Sequence, residues 1–235
     1  MRIKKFFYKL LLGNEKDNLP VRHSVYSTLF HNLHRIWNNH KQNDVGFEKI
    51  LRLFLVGVQL IFPGLHIRQY FSKKGMNVRN VANEFYVLFK TLLPLVFLIT
   101  GAYQSKIAIG ISCYLLFETI CYVSSLIFVS DMFVKPRSYR RNILMLFFNY
   151  TEIALDFAVI YGGLHLLSDN ATNVADYIYF SVITSTTIGF GDVHPASSAG
   201  KIVVCFHAML IVSFIVLFLN FFSSKVEVMH NDDTM

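Results

Sequence analysis

The sequence predicts an all-α membrane protein. Of its 235 residues, 54% are hydrophobic, and the mean hydropathy of +0.44 is higher than that of ordinary soluble domains. Four long apolar segments are separated by short stretches that carry most of the charge. Each segment is close to the length of about 20 residues that a helix needs to cross a bilayer. Because unpaired backbone groups are costly in lipid, we expect these segments to be helices.

The first 48 residues predict a cytoplasmic, amphipathic N-terminal region. Residues 1–13 are basic and aromatic and are expected to lie on a membrane surface. In residues 21–40, apolar side chains recur at helical spacing, opposite a polar face that contains several histidines. This pattern predicts a helix that binds a membrane surface, including anionic lipid, or packs against a partner helix.

Residues 49–142 predict an accessory membrane region. Residues 50–66 are too short for a clean span, and Arg52 and the Pro63-Gly64 pair interrupt them, so we expect an interfacial or re-entrant segment. A basic loop at 72–80 precedes two spans at 85–103 and 107–130, and a second basic stretch at 131–142 follows them. The positive-inside rule places both basic stretches in the cytoplasm.

The most distinctive stretch lies at residues 184–195, between two apolar segments. Gly189 and Gly191 alternate with residues that bear side chains. Because glycine adopts positive φ at little cost, this alternation allows successive carbonyls to point the same way. Irregular backbone at membrane depth is tolerated where it is buried in protein or lines a water-filled pore. The carbonyls of residues 187–190, with the Thr187 hydroxyl, are therefore candidates for cation coordination.

Residues 186–192 read TTIGFGD, and this motif resembles the selectivity-filter signature of the potassium-channel family, usually TTVGYGD. The resemblance extends on both sides and covers roughly residues 143–223. It implies a pore domain with an outer helix at 143–167, a pore helix at 174–186, a filter at 187–191 and an inner helix at 200–222. Residues 224–235 would form a short cytoplasmic tail.

The resemblance implies a tetrameric P-loop ion channel built from four copies of this chain, with permeant K⁺ as its ion and no cofactor. It implies a filter in which K⁺ is coordinated at Thr187, Ile188, Gly189 and Phe190 and which ends at Gly191, supported by Thr186 and Asp192. The Tyr179 hydroxyl could brace Asp192, or Tyr179 could simply be a packing aromatic. By resemblance, the cavity and gate are lined by Val212, Ile215, Leu219, Asn220 and Ser223.

Two departures from the usual filter are Ile188 and Phe190, which stand where valine and tyrosine are commoner. Since Phe190 lacks the tyrosine hydroxyl that can tie a filter to its pore helix, a weakly selective monovalent cation channel of the same fold is an alternative. No hinge glycine follows Gly200, so the inner helix encodes no sharp bend.

A few charged residues lie within the predicted spans and are expected to face protein or water. They are Lys90, Glu118, Glu152 and Asp156. An ion pair that docks the first two spans against the pore is one interpretation. A proton or ion pathway, and with it an ion- or proton-coupled transporter, is another. No span carries arginines at every third position, so a voltage sensor is not expected.

Other classes of protein find little support. The net charge of +7 accompanies no nucleic-acid-binding motif, so basic loops against anionic lipid are expected instead. No nucleophile–base pair or metal cluster is recognisable, which argues against an enzyme. The orientation of the loops predicts a multi-pass protein of the plasma or inner membrane with both termini in the cytoplasm.

Overall fold

The computed structural model describes residues 24–39, 45–132 and 139–232. The side chains of Tyr139, Phe218 and residues 220–232 are excepted from this description. The predicted surface segment at 1–13 and the central part of the basic stretch at 131–142 lie outside the described residues. The described chain is almost entirely helical, which confirms the prediction of an all-α protein.

The helices follow one another with short connections. In chain order they are α1 Val25–Trp37, α2 Gly46–Val58, α3 Pro63–Ser72, α4 Met76–Ile99, α5 Lys106–Phe128, α6 Tyr139–Gly163, α7 Val174–Ser185 and α8 Ser198–Asp232. Two 3₁₀ turns occur at Ala102–Gln104 and Ser130–Met132. Four of the described helices are long and apolar enough to cross a membrane, namely α4, α5, α6 and α8.

The chain divides into two compact units. The first contains the described parts of residues 1–88 and 124–134, and the second contains those of 89–123 and 135–235. In the first unit, α1 packs on α2 and α3. Val25, Leu29 and Ile36 are buried there, whereas Phe30 and Trp37 of the same apolar stripe stay exposed. The helix thus uses only part of its apolar face for packing within this unit.

Residues 46–72 form a broken helix pair. Helices α2 and α3 meet at a bend of 60°, and Pro63 is the first residue of α3. Proline lacks an N–H group and cannot continue α2, so the bend falls where the sequence places Pro63-Gly64. Together the two helices are long and apolar enough to form either a single span broken at the bend or a re-entrant loop. Arg52 is buried in this unit and forms an ion pair with Asp131 at 2.9 Å.

The first long helix begins nine residues earlier than the predicted span at 85–103 and ends at Ile99. The basic loop predicted at 72–80 was therefore wrong for residues 76–80. Polar side chains alone predict a loop, yet residues 76–84 contain no glycine or proline to break a helix. The C-terminal end is set by Gly101, whose φ of +76° is the left-handed conformation that stops helices.

Two boundaries in the pore region also differ from prediction. The outer helix α6 runs from Tyr139 to Gly163 instead of 143–167, and the apolar residues after Gly163 turn back, with Leu167 bridged to Pro195. The inner helix α8 continues to Asp232, so most of the predicted tail at 224–235 is helical. Hydropathy defines where a helix leaves the membrane, whereas the helix itself continues until a breaker is reached.

Candidate ion-conduction site

The pore helix α7 is anchored at its N-terminus by a capping box. The Asn173 side chain accepts a hydrogen bond from the Asp176 N–H at 3.2 Å, and the Asp176 carboxylate accepts one from the Asn173 N–H at 3.0 Å. Two otherwise unpaired backbone donors are satisfied in this way. Further along, the Ser181 hydroxyl donates to the carbonyl oxygen of Ala154 in the outer helix at 2.5 Å. These contacts fix the position of α7 against α6.

The chain changes conformation directly after α7. Thr187, Gly189 and Gly191 have φ angles of +58°, +56° and +84°, so every second residue of the predicted filter is left-handed. For the two glycines this conformation is almost free, but for a β-branched threonine it costs about 1–3 kcal/mol. The glycine spacing predicts left-handed backbone at positions 189 and 191, whereas no feature of the sequence indicates the strain at Thr187. Backbone strain of this kind is concentrated at functional sites.

The predicted filter is exposed in a single chain. Ile188 and Phe190 are 57% and 69% exposed, and a Cβ added at Gly189 or Gly191 meets no atom within 4 Å. Thr186, at the C-terminal end of α7, is also exposed, and its hydroxyl donates to the Val182 carbonyl at 2.9 Å. This segment follows directly from the anchored α7 and is exposed in a single chain. Its carbonyl groups can therefore face an axis outside the chain.

Asp192 is held on two sides. The Tyr179 hydroxyl donates to its carboxylate at 2.9 Å, and the Asn170 side-chain amide donates to its backbone carbonyl at 3.0 Å. The bond to Asp192 raises the pKa of the Tyr179 phenol, because the carboxylate stabilises the protonated hydroxyl. The structure thus brings together Tyr179 and Asp192, and Asn170 is a further contact that was not expected from the sequence.

A buried network lies behind the start of the filter. His207 of the inner helix is fully buried, with Nε2 at 2.9 Å from the Ser185 Oγ and Nδ1 at 3.1 Å from the Tyr161 hydroxyl. Its ring stacks on Phe157 with a centroid separation of 3.9 Å. The Tyr150 hydroxyl donates to the Ser185 carbonyl at 2.8 Å. Ser185, the last residue of α7, is therefore tied to both the outer and the inner helix.

No motif in the sequence indicates this network. The histidine lies on an apolar helix 22 residues after the serine; the sequence favours a packing role for it, but its partners emerge only when α6, α7 and α8 come together. A lone polar residue in an apolar span does need a partner. That requirement is the one signal that points to His207, and it does not identify the partner.

The inner helix has one buried face and a broad exposed one. His207, Ile211, Phe214 and Leu217 recur at helical spacing and are buried. The predicted cavity residues Val212, Ile215 and Leu219 are 56%, 47% and 63% exposed in the single chain. They share this exposure with Met209 and Val216. The side chains of Asn220 and Ser223 lie outside the described part of the structure.

All four charged residues predicted within the spans are buried in the second unit and interact with one another. Lys90 donates to the Thr119 hydroxyl at 2.5 Å and lies 3.2 Å from Glu152, and Thr119 donates to Glu152 at 3.0 Å. Asp156 is one turn further along α6 and is fully buried. Glu118 is also buried and interacts electrostatically with Glu152. The predicted ion pair is present between Lys90 and Glu152.

A protein-family model and a potassium channel from rice match parts of this chain. Residues 144–228 match the protein-family model described as ion channel. The two pore potassium channel b of Oryza sativa subsp. japonica is 44% identical over 41 residues, which are 17% of this chain and 12% of the rice protein. The match thus spans only a small part of that relative's length. No solved structure matches the chain.

Proposed function

We propose that this chain forms a homotetrameric, potassium-selective channel that conducts K⁺ passively, and the match of residues 144–228 to the ion channel family model supports this proposal. The observation that carries the proposal is the alternation of left-handed residues at 187, 189 and 191, directly after a capped and anchored pore helix. In this arrangement, carbonyl oxygens from Thr187, Ile188, Gly189 and Phe190 would replace the hydration shell of the ion. The Thr187 hydroxyl would form the lowest site.

Assembly from four copies follows from the geometry of coordination. One chain supplies one column of carbonyls, and a ring needs several columns around an axis. Fourfold cyclic symmetry closes such a ring with identical interfaces. The exposure of Ile188 and Phe190 in the single chain supports this proposal, since large apolar side chains next to a pore need protein around them.

Two electrostatic features favour a cation over an anion. The C-terminal end of α7 carries the negative end of the helix dipole, which stabilises positive charge near the cavity. Asp192 at the other end of the filter adds a negative mouth that raises the local cation concentration. Its position is maintained by Tyr179 and Asn170, so the charge stays next to the entrance.

We further propose that the filter faces the cell exterior and that both termini are cytoplasmic, in a plasma or inner membrane. The basic residues between α5 and α6 support this orientation. The cavity would be lined by Val212, Ile215 and Leu219, with Asn220 and Ser223 near the cytoplasmic end. Helix α8 is continuous from Ser198 to Asp232, so a gate within it would have to constrict without a glycine hinge.

Two other functions would be separated by one experiment. A weakly selective cation channel is favoured by the absence of a hydroxyl at Phe190, and a coupled transporter by the buried charges around Glu152. The purified full chain is reconstituted in planar bilayers, and the reversal potential is measured with K⁺ on one side and Na⁺ on the other. Potassium selectivity predicts a reversal potential close to the K⁺ equilibrium value. A value near zero would indicate the weakly selective channel, and saturable coupled flux without single-channel steps would indicate a transporter.

A further inference from the structure

Buried polar side chains form a row along α6 and the helices next to it in the second unit. Asn149, Glu152 and Asp156 lie on one face of α6, and Ser112 and Thr119 lie on one face of α5. Together with Lys90 of α4, each is at most 4% exposed. Polar groups at such depth in a membrane protein are costly unless they are paired, so each needs a partner.

The charges in this row do not balance. Lys90 is engaged with Glu152 and Thr119, and one positive charge offsets one carboxylate. Two further carboxylates are buried: that of Glu118, which interacts electrostatically with Glu152, and that of Asp156. Neither oxygen of Asp156 has a hydrogen-bond partner among the described residues. Lys90 is the only cation among the described groups that interact electrostatically with it, and the others are Glu152, Ser112 and the Cys113 thiol.

The Ser112 hydroxyl, which also lacks a hydrogen-bond partner among the described residues, lies beside Asp156. Ser112 is fully buried, and its hydroxyl is the polar neighbour of the Asp156 carboxyl, although no hydrogen bond in the usual distance range joins them. A serine oxygen can accept a hydrogen bond, whereas an ionised carboxylate cannot donate one. A protonated carboxyl group facing Ser112 would satisfy both residues at once.

We propose that Asp156 and Ser112 form a proton-binding site inside the membrane, between the second span and the outer helix and apart from the filter. A proton from water adds to the Asp156 carboxylate to give a carboxylic acid, whose hydroxyl donates to Ser112. With that proton, Asp156 adds no charge beside the pair formed by Lys90 and Glu152. This inference concerns the folded chain and does not depend on the proposed conduction of K⁺.

A proton fits this site better than an alkali or divalent cation. Hard cations such as Ca²⁺ and Mg²⁺ need about six oxygen ligands, and alkali ions likewise need several. Beside the two Asp156 oxygens, the unpaired side-chain oxygens of this row among the described residues are those of Ser112 and one of Glu152, which makes four. The orphaned atom of Asn149 on the same face is the amide nitrogen, which is a donor and repels cations. No group of three or more potential metal ligands occurs among the described residues.

The test is infrared spectroscopy of the full chain in liposomes at neutral pH, compared in H₂O and D₂O. The wild type should show a protonated-carboxyl C=O band that shifts in D₂O, and Asp156→Asn should lose it. Asp169→Asn is the matched control, because Asp169 is an exposed aspartate outside the spans, and it should keep the band. Glu152→Gln should also keep it.

A Ser112 variant and an exchange of the cation test the proposal in two further ways. Ser112→Ala should shift the band without loss, since the acid remains and its acceptor is removed; this arm stands even if Asp156→Asn fails to fold. Replacing K⁺ by Na⁺ or by a large organic cation should leave the band unchanged. The proposal is overturned if the wild type lacks the band, if Asp156→Asn retains it, or if it appears only when alkali cations are removed. Bilayer currents from the same preparation report separately on the proposed function.

Discussion

The Nε2 atom of His207 lies 2.9 Å from the Oγ atom of Ser185, so a buried hydrogen bond joins the inner helix to the last residue of the pore helix. Ser185 is two residues before Thr187, where the left-handed backbone begins. A displacement of the inner helix at His207 would therefore act on the residue that positions the base of the filter. Because α8 has no glycine hinge, this contact offers a route between the inner helix and the filter.

Removing the serine hydroxyl should weaken this connection. In Ser185→Ala the buried Nε2 of His207 loses its partner, and an unsatisfied buried polar atom costs about 1–3 kcal/mol. We expect a lower thermal unfolding midpoint and reduced K⁺ over Na⁺ selectivity, measured as a shift of the reversal potential. The control is Ser213→Ala on the inner helix α8, whose exposed hydroxyl donates to the Met209 carbonyl one turn earlier. Equal effects in the two variants would contradict the assigned role of Ser185.

The two filter glycines should not tolerate a side chain. Their φ angles of +56° and +84° place a Cβ in a conformation that costs L-residues about 1–2 kcal/mol, even though the space around them is open in one chain. We expect Gly189→Ala and Gly191→Ala to abolish K⁺ currents while the chain still assembles, as measured by size-exclusion chromatography with light scattering. Gly110→Ala is the control, because this glycine is helical and also has open space. Normal currents in a filter variant would refute the filter assignment.

The bond between Tyr179 and Asp192 should stabilise the conducting filter. Tyr179→Phe removes the donor and frees the carboxylate, so we expect currents that decay faster during sustained opening. Asp192→Asn keeps an oxygen acceptor for the tyrosine but removes the charge. It should therefore preserve the time course and lower the single-channel conductance. A Tyr179→Phe variant whose currents decay no faster than those of the wild type would contradict the role of the hydrogen bond.

The buried pair of Lys90 and Glu152 should contribute to the stability of the fold, because removing one partner leaves the other charge buried. Lys90→Met would leave a carboxylate without its cation, a change that costs about 3–5 kcal/mol in buried pairs. The double variant Lys90→Met with Glu152→Gln removes both charges and should regain part of that loss. Unfolding in detergent, followed by circular dichroism, measures both. A double variant no more stable than Lys90→Met would mean that the pair does not act as a unit.

The proposed orientation can be tested by thiol labelling. Cys113 and Cys205 are exposed and are first replaced by serine, whereas Cys121 is buried and can remain. A cysteine at Ser105, in the exposed turn between α4 and α5, should react with an impermeant reagent from outside. One at Ser138, in the basic stretch before α6, should react only after permeabilisation. The opposite pattern would invert the topology and place the filter at the cytoplasmic side.

The sequence by itself determined the properties that depend on local composition. Apolar segments of membrane-spanning length specified four helices, because a bilayer selects for length and hydrophobicity along one stretch of chain. The TTIGFGD motif indicated the ion channel family model that residues 144–228 match, because a signature with fixed glycine spacing can be read from one short stretch of chain. Pro63 likewise specified a break, as proline acts on the residues next to it.

Only the tertiary structure decided which distant polar residues meet. Arg52 pairs with Asp131, Lys90 with Glu152, and His207 with Ser185, across 79, 62 and 22 positions of sequence. The cost of burying a polar group predicts that each needs a partner, but hydrophobicity does not fix how helices rotate and cross. The left-handed conformation of Thr187 also depends on its surroundings, because no local preference of threonine favours it. We attribute it to the anchored pore helix before it and the glycines after it.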